Sequence, residues 1–298
     1  MQKGLLLFSK IGERSEKISN FMHTQLHDRY EVDTVYGYSK IQMYQHNNEL
    51  TFLINGEPLN TYSFVYLYTT PPSRSSRSDI VGLIGQYCLH KNIHVINTRD
   101  VLRYNGGKIM QKLLLSLGNI PIPDFAFYSE LVEQSYDDIV KIIGEPFVLK
   151  QSKAALGREV YLIQSRDEFI SKIQDLEIKD HTTGLWYCEK YIPHTNTIRG
   201  FVTGDECKIA IHVSAEEGSF KTNRGTAVFE NNTDENFTQL VVTAARLVKL
   251  EIAGVDTIRD SIDNVVKVLE VNKSPGITFQ DETSKELEVV SDFLKKLS

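Results

Sequence analysis

Two stretches in the last fifty residues of the chain decide the fold: Ala253-Gly-Val-Asp256 and Glu270-Val-Asn-Lys-Ser-Pro-Gly276. Between them, residues 260–264 (Asp-Ser-Ile-Asp-Asn) have the composition of a turn, and strand-forming residues flank this segment on both sides. The pattern predicts an antiparallel hairpin centred on the turn. In that hairpin Asp256 lies directly opposite Glu270.

This hairpin face is expected to carry a cluster of oxygen ligands. Directly opposed residues have Cβ atoms about 4.5–5.5 Å apart, and like charges there are destabilising. The repulsion between Asp256 and Glu270 therefore needs a compensating group. Asn272 lies two residues beyond Glu270 and points to the same side of the strand. Two carboxylates and an amide oxygen suit Mg²⁺, while the alternative is a hairpin face with ordinary solvated acids. On spacing alone both interpretations stay open.

Polar residues upstream stand at places where phosphates and bases can bind. Lys150 ends an apolar strand, where an ammonium can meet a phosphate as a point charge. Lys108 opens a helix whose N-terminus attracts anions, although either lysine alone is more often a surface residue. The segment Glu189-Lys-Tyr-Ile192 ends another strand, and its polar groups could contact an adenine edge. The loop Lys221-Thr-Asn-Arg-Gly225 concentrates two cations and an amide.

The composition limits the class of protein. A chain of 298 residues has room for roughly two domains. The net charge of −6 argues against broad binding to nucleic acid. Three cysteines without a CxxC pair support neither a disulfide framework nor a zinc site. No apolar run is long enough for a membrane span, so we expect a cytoplasmic protein without membrane partners.

The periodicity of apolar residues predicts a mixed α/β chain. Strands and helices alternate in the first hundred residues, which favours a parallel sheet. Strands dominate after residue 146. The predicted strands are at residues 5–8, 31–35, 64–68, 94–96, 147–150, 160–163, 186–189, 199–202, 208–213 and on both sides of 260–264, and the predicted helices at 16–27, 79–90, 108–117, 167–173, 235–250 and 286–297.

The order of these segments resembles the ATP-grasp superfamily, and within it the branch of the ribosomal-protein glutamate ligases. The resemblance covers residues 98–280 with the order and spacing of the family. The two strands of the hairpin are the specific signal, whereas a single lysine is not. The motifs are Asn105-Gly-Gly-Lys108, Pro146-Phe-Val-Leu-Lys150, Glu189-Lys-Tyr-Ile192, Ile198-Arg-Gly-Phe-Val-Thr-Gly-Asp205, Phe220-Lys-Thr-Asn-Arg-Gly225, Ala253-Gly-Val-Asp256 and Glu270-Val-Asn-Lys-Ser-Pro-Gly276.

The resemblance implies an α/β (α+β) ATP-grasp fold with three parts. An N-terminal α/β pre-grasp domain would take residues 1–98. A small lid subdomain would take residues 99–190, and a large, metal-binding subdomain residues 191–298. The two subdomains would clasp the nucleotide between them.

The resemblance also implies how the phosphates of ATP are held. Lys108 and Lys150 would contact the α- and β-phosphates. Lys221 and Asn223 would reach the triphosphate. These four residues come from three separate motifs, so the site would assemble only in the folded chain.

Adenine and the metal would lie at the strand ends. Adenine would be held by Glu189 and by the backbone that follows it, namely Lys190, Tyr191 and Ile192. Mg²⁺, with Mn²⁺ as the alternative metal, would be bound by the hairpin residues Asp256, Glu270 and Asn272. Of the two interpretations of the hairpin face, the resemblance thus implies the metal site.

Two arginines would act on the reacting groups. Arg224 would face the acyl phosphate and the tetrahedral intermediate, where a fixed cation stabilises developing negative charge. Arg199 would bind the carboxylate substrate or a phosphate, because its planar fork suits bidentate contact.

Two departures from the family pattern affect the predicted site. The lid loop of the family is rich in glycine, whereas residues 152–159 keep only Gly157, so Lys153 or Arg158 would reach the phosphates instead. The acidic residue expected at the ribose is replaced near Asn196-Thr197, where an amide or a hydroxyl can still donate a hydrogen bond.

The resemblance therefore implies a ligase that joins a carboxylate to an amine through an acyl phosphate. The partners would be ATP, a carboxylate substrate and an amine acceptor, and the carboxylate would belong to a peptide, a protein or a small molecule. The chain would add an amino acid to the carboxylate. Alternatives are a macrocyclase acting on a ribosomal precursor peptide and a non-catalytic ATP-binding regulator. Homo-oligomerisation is left open.

Overall fold

A computed structural model describes residues 1–47, 49–68, 77–97, 107–152, 159–179, 185–194, 196–214, 227–231 and 234–297. The strands in this part of the chain are β1 Gln2–Phe8, β2 Tyr30–Tyr36, β3 Ile41–His46, β4 Glu49–Ile54, β5 Glu57–Pro58, β6 Tyr62–Leu67, β7 His94–Ile96, β8 Phe125–Phe127, β9 Phe147–Gln151, β10 Val160–Ile163, β11 Trp186–Lys190, β12 Asn196–Thr203, β13 Glu206–Ser214, β14 Ala227–Asn231, β15 Ile252–Arg259 and β16 Val266–Asn272. The helices are α1 Glu13–Leu26, α2 Arg77–His90, α3 Lys108–Leu117, α4 Ser135–Ile143, α5 Arg166–Lys179, α6 Glu235–Leu247 and α7 Lys285–Lys296, with a short 3₁₀ helix at Leu59–Thr61.

The first sheet has the strand order β2-β1-β6-β7, and all of its neighbouring strands are parallel. This confirms the parallel sheet that the strand–helix alternation predicts. Strand β1 ends in the apolar run of residues 5–8, and its residues 4–8 are buried because both faces of such a sheet are covered. Tyr30 and Phe64 meet edge to face in its core, 5.0 Å between ring centroids.

A small three-stranded sheet, β3-β4-β5, was not predicted. Most of β3 is exposed, so it lacks the apolar alternation that marks a half-buried strand. The turn between β4 and β5 nevertheless has a signal in the sequence. Asn55 and Gly56 connect β4 to β5 with φ of 54° and 87°, the positive values that a two-residue hairpin turn requires.

The second sheet has the order β10-β9-β11-β8, and its strands are antiparallel. Successive side chains alternate between its two faces. One face forms a core with α4 and α5 through Phe147, Leu149 and Cys188. The other face therefore carries Lys150 on β9 and Glu189 on β11.

The third sheet has the order β14-β13-β12-β15-β16 and is also antiparallel. Val255 and Val271 lie on the face that α6 covers, together with Leu115 of α3. The opposite face packs Phe201 and Ile252 against α7 and the first sheet. Helix α3 thus shares the core of the third sheet, although the predicted division assigns it to the small subdomain. That division stays a prediction.

In the described residues, no helix has the length and apolarity needed to cross a membrane.

Candidate active site

The hairpin of β15 and β16 has the predicted register at the site, whereas the pairs next to the turn are shifted by one residue. Asp256 pairs with Glu270, and Asn272 pairs with Gly254, so all three polar side chains point to one face. The pairing shifts between Asp256 and Thr257, and this bulge lies on the turn side of the site. On the other side, β12 places Arg199 directly opposite Asp256. A row of three charged residues therefore runs across three neighbouring strands.

The chain itself neutralises the two opposed carboxylates. Arg199 donates from Nε to Oδ1 of Asp256 at 2.6 Å and from Nη2 to Oδ2 at 3.0 Å. Asp256 raises the pKa of this guanidinium, in spite of its burial. Lys108 Nζ lies 2.5 Å from Oε1 of Glu270. Each carboxylate thus has its own cation, which offsets the repulsion expected from the sequence.

The glycine of the first hairpin motif allows this arrangement. A Cβ atom on Gly254 would lie 2.9 Å from Cβ of Pro275 and 3.2 Å from Cδ of Arg199. The absence of a side chain lets the stem of Arg199 lie flat over β15, beside the Ser-Pro-Gly turn that follows β16. The motif Ala-Gly-Val-Asp therefore positions an arginine as well as an aspartate.

The first turn of helix α3 is held by hydrogen bonds to Ser152 and to Val271 of β16. The N–H of Lys108 donates to the carbonyl of Ser152 at 2.8 Å, where a Cβ on Gly107 would be only 2.2 Å from the same oxygen. One turn on, Gln111 binds Val271 through both amide atoms: its Nε2 donates to the carbonyl at 2.9 Å, and its Oε1 accepts from the N–H at 3.0 Å. These contacts fix Lys108 against β16.

A second charge cluster lies between α3 and the second sheet. Glu189 contacts Lys112 through Oε2 and Lys150 through Oε1. Lys112 and Glu189 are 1% and 2% exposed. Burial alone would raise the pKa of Glu189, but the two ammonium groups outweigh it and hold that pKa below its usual value. Burial lowers the pKa of Lys112.

Lys112 was not among the predicted site residues. It follows Lys108 by four positions, and such a spacing puts two side chains on one face of a helix. The signal in the sequence for a buried lysine was its place in a mainly apolar helix segment, residues 109–115 (Ile-Met-Gln-Lys-Leu-Leu-Leu). Lys112 points inward and reaches Glu189, about 6 Å further along the helix axis than Lys108.

The predicted adenine segment is partly engaged by the protein. The carboxylate of Glu189 binds two lysines, and the N–H of Lys190 donates to the carbonyl of Asp124 at 2.8 Å. His194 Nδ1 lies 2.7 Å from the carbonyl of Ile192. The carboxylate of Glu189 is thus paired with the two lysines in this structure. Contacts to adenine by Glu189, Lys190, Tyr191 or Ile192 stay a prediction.

Three predicted site residues lie outside the described residues: Lys221, Asn223 and Arg224. So do Asn105 and Gly106 of the first motif and residues 153–158 of the predicted lid. The described part of the predicted site comprises Lys108, Lys150, Glu189, Lys190, Tyr191, Ile192, Arg199, Asp256, Glu270 and Asn272.

The hairpin residues fit a divalent cation that prefers oxygen. Asp256 and Glu270 lie side by side, and Nδ2 of Asn272 donates to Oδ2 of Asp256 at 2.9 Å, so the amide is already within contact of the carboxylate pair. In the described residues, including this hairpin, no group of three or more His, Cys, Asp or Glu side chains is placed to hold a metal ion. The set found here is two carboxylates and one amide, which suits Mg²⁺ with phosphates as its further ligands.

Comparison with known proteins gives the family. Residues 106–295 match the RimK-like ATP-grasp domain. The chain belongs to this family. The ATP-grasp resemblance seen in the sequence motifs is thereby confirmed, and the matched segment contains every element that builds the two charge clusters.

Curated relatives of this family are glutamate ligases by name. A probable alpha-L-glutamate ligase of Cellvibrio japonicus is 27% identical over 211 residues, which are 69% of this chain and 65% of that protein. The ribosomal protein bS6–L-glutamate ligase of Escherichia coli K12 is 29% identical over 207 residues, which are 68% of this chain and 64% of that protein. The match thus spans just under two thirds of the length of these relatives.

Solved structures resemble the chain over nearly its whole length. The ATP-grasp ligase PsnB, in complex with a phosphomimetic variant of its minimal precursor, Mg and ADP, has a TM-score of 0.74 at 15% identity and covers 99% of this chain and 98% of its own. The D-alanine–D-alanine ligase of Bacillus anthracis has a TM-score of 0.64 at 18% identity and covers 99% and 95%. These likenesses confirm the ATP-grasp fold.

Proposed function

We propose that the protein is an ATP-dependent ligase that joins a carboxylate to an amine through an acyl phosphate and releases ADP and phosphate. The observation that carries the proposal is the row of Arg199, Asp256 and Glu270 across three strands, with Lys108 at its end. The row provides carboxylates for a metal and cations for phosphates at one place. Transfer of a phosphoryl group depends mainly on such positioning and charge stabilisation.

Mg²⁺ would be held by Asp256, Glu270 and Asn272, and when bound it neutralises charge on the phosphates. Arg199 and Lys108 now bind the same carboxylates. Once these carboxylates bind a metal, the guanidinium and the ammonium would instead bind the phosphates and the carboxylate substrate. Lys150 would bind a phosphate from the opposite side, at the end of β9.

The reaction would run in two steps. An oxygen of the substrate carboxylate attacks the γ-phosphorus of ATP, and the bond to the β-phosphate oxygen breaks, so that ADP leaves. The amine then attacks the acyl carbon, phosphate leaves with the bonding electrons, and the amine loses a proton. Arg224 would stabilise the negative charge that develops in both steps.

A nucleophilic cysteine has no part in this proposal. Cys88, Cys188 and Cys207 are all buried. Burial raises the pKa of the Cys88 and Cys188 thiols to about 12. Their thiolates are therefore disfavoured at neutral pH, and catalysis would rest on positioning and charge.

The acceptor we propose is a peptide or a protein. The E. coli relative is named for ligation of glutamate to a ribosomal protein, and we propose that this protein also acts in the cytoplasm. A macrocyclase acting on a precursor peptide is the second candidate. The observation that favours it is the structural likeness: the PsnB structure, which contains a precursor, has a TM-score of 0.74 to this chain, against 0.64 for the D-alanine–D-alanine ligase.

Product analysis tests the proposal. Purified protein is incubated with ATP, Mg²⁺ and pools of amino acids and peptides, and the nucleotide products are separated by chromatography. We expect ADP and phosphate together with a new amide, seen as a mass increase in a linear product or a loss of 18 Da, about one water, in a macrocycle. AMP and pyrophosphate as stoichiometric products would instead indicate an adenylating ligase.

A regulator without turnover is the remaining alternative. It predicts that the protein binds ATP but produces neither ADP nor an amide with any substrate pool. The intact carboxylate pair and the basic residues beside it argue against this alternative. Binding without turnover, while Glu270→Gln changes nothing but metal affinity, would support it.

A further inference from the structure

The buried cluster of Lys112, Lys150 and Glu189 contains two cations and one anion. Each oxygen of Glu189 contacts one ammonium group. Tyr187, directly opposite Lys150 on the neighbouring strand, adds no negative charge, because burial holds the pKa of its hydroxyl well above the usual value. Among the described residues, the cluster therefore has a net charge of +1.

The other carboxylates of the described site each pair with another cation, although the charge of Glu270 also acts on Lys112. Glu270 is paired with Lys108, and Asp256 is paired with Arg199. Within the described ranges, Glu189 is the ion-pair partner of Lys112, and Nζ has no additional hydrogen-bond acceptor. A buried charge without a counter-ion is costly. The excess therefore points to an anion from outside the described part of the protein.

The two lysines differ in access to such an anion. The side chain of Lys150 is 16% exposed, whereas that of Lys112 is 1% exposed. An incoming anion can therefore reach Lys150 but not Lys112. Any effect of Lys112 on a ligand must pass through the carboxylate that the two lysines share.

We propose that Lys112 is a positioning residue for nucleotide binding. Because Lys112 pairs with one oxygen of Glu189, the carboxylate only partly neutralises the charge of Lys150, and the phosphates of ATP bind to the charge that remains. This inference rests on the proposed function, because it takes ATP as the anion. Without Lys112, Glu189 and Lys150 would form a neutral one-to-one pair, and Lys150 would attract phosphates less.

The proposal predicts that nucleotide affinity rises with the net positive charge of the cluster of Lys112, Lys150 and Glu189. The parental cluster has a net charge of +1, Lys112→Met has 0, Glu189→Gln has +2, and the double variant returns to +1. A purely structural role, in which Lys112 only fills space or ties α3 to β11, makes another prediction. Removing Glu189 as well would then damage the site further and would not repair it.

The experiment is a titration of each variant with AMP-PNP and Mg²⁺ by calorimetry, with thermal unfolding as the check on folding. Lys112→Met should weaken AMP-PNP binding by about tenfold, and Glu189→Gln added to it should bring the affinity back to within about threefold of the parent. Lys267→Met is the matched control. Lys267 is 15% exposed and paired with Asp260 and Asp263 at the turn end of the hairpin, so its loss removes a similar ion pair outside the cluster.

The outcomes separate this inference from the proposed function. If the parent binds AMP-PNP and Lys112→Met binds it equally well, the inference is wrong while the ligase proposal stands. A double variant that binds as weakly as Lys112→Met, or more weakly, assigns Lys112 a structural role only and also overturns the inference. If the parent binds no AMP-PNP, both proposals fail together. If Lys112→Met unfolds, the double variant decides. Parental AMP-PNP affinity in a folded double variant supports the dependence on net charge, and weakened affinity contradicts it.

Discussion

Arg199 and Asp256 lie opposite each other on β12 and β15 and form two parallel hydrogen bonds, at 2.6 and 3.0 Å. The two residues were predicted for different tasks, one for a substrate or a phosphate and the other for a metal. Their pairing means that neither task can begin until the ion pair opens. Each of the two hairpin carboxylates is thus paired with one cation, with Lys108 and Glu270 as the second pair.

The first prediction concerns stability without metal. On the sequence alone, removing one of two opposed carboxylates would relieve repulsion. With the ion pairs in place, Asp256→Asn should instead destabilise the protein, because Arg199 loses a charged, half-buried partner. We expect a loss of about 1–3 kcal/mol in the free energy of unfolding, measured with denaturant in EDTA. Asp205→Asn is the control, since Asp205 and its partner Arg246 are 82% and 63% exposed and should contribute below about 1 kcal/mol. Equal effects of both variants would contradict the prediction.

The second prediction concerns the metal. Because Arg199 and Lys108 bind the carboxylates of the hairpin, a divalent cation alone must compete with them. Mn²⁺, used as a spectroscopic probe for Mg²⁺, should bind weakly by itself and at least about tenfold more tightly in the presence of AMP-PNP. Arg199→Met should reduce this difference by strengthening the binding of Mn²⁺ alone. Titrations followed by electron paramagnetic resonance measure both values, and a Mn²⁺ affinity that is independent of nucleotide would contradict the prediction.

The third prediction concerns Gln111, whose amide satisfies the N–H and the carbonyl of Val271. Gln111→Met keeps the length of the side chain but leaves two buried backbone groups without partners. Stability should fall by about 2–4 kcal/mol. Because Val271 lies between Glu270 and Asn272, the apparent affinity for Mg²⁺ in turnover should also fall, while saturating Mg²⁺ restores most of kcat. A variant that loses stability but keeps its Mg²⁺ dependence would show that Gln111 has no influence on the metal residues.

Part of this site was predictable because it depends on short-range patterns. The turn composition at residues 260–264 predicts the hairpin, and a turn centred on Asp263 predicts the pair of Asp256 and Glu270. Next to the turn, however, Thr257 pairs with Val268, and the bulge between Asp256 and Thr257 is what brings Asp256 opposite Glu270. The hairpin of β12 and β13 follows from its turn residues in the same way, with Gly204 in the left-handed region at φ of 60°. The parallel first sheet follows from the alternation of strands and helices.

The ion pairs were not predictable from these patterns. Arg199 meets Asp256 only because β12 and β15 become neighbours, although β13, β14 and α6 separate them in the chain. Lys112 stands in a helix of mainly apolar residues, where a lone lysine is expected to point to solvent. Lys112 points inward because Glu189 lies next to it after folding. The position of Glu189 cannot be read from the sequence around Lys112.

The fourth prediction separates binding from chemistry at Arg224 and Lys150. We propose that Lys150 contacts ATP before the reaction and that Arg224 mainly meets charge that develops in the transition state. Arg224→Ala should then lower kcat by about 10²–10³ and change ATP affinity only a few-fold, whereas Lys150→Ala should weaken ATP binding. Calorimetric titration with ATP, alongside steady-state rates, measures both quantities. Weakened ATP binding with parental turnover at saturation in Arg224→Ala would reverse the two assignments.

The last prediction concerns pH and the contact between the first and third sheets. His94, at the start of β7, lies 2.8 Å from Oε1 of Glu251, which immediately precedes β15. The hydrogen bond to Glu251 raises the pKa of His94, while burial opposes the shift. A folded-state pKa above the unfolded value of about 6.5 means that the stabilisation is complete below that pH. It is lost as the pH rises through the folded-state pKa. Since the two side chains are 41% and 30% exposed, we expect a contribution of only about 0.2–1 kcal/mol.

His94→Gln should therefore lower the Tm by about 1–3 °C at pH 5.5 and by less at pH 8.5, measured by calorimetry in buffers of matched ionic strength. His46→Gln serves as the control, because His46 lies exposed on β3, away from this contact. Its substitution should change the Tm equally at both pH values. A Tm difference for His94→Gln that grows with pH would mean that the imidazole is bound in its neutral form, which would reverse the direction of the pKa shift and with it the role of Glu251.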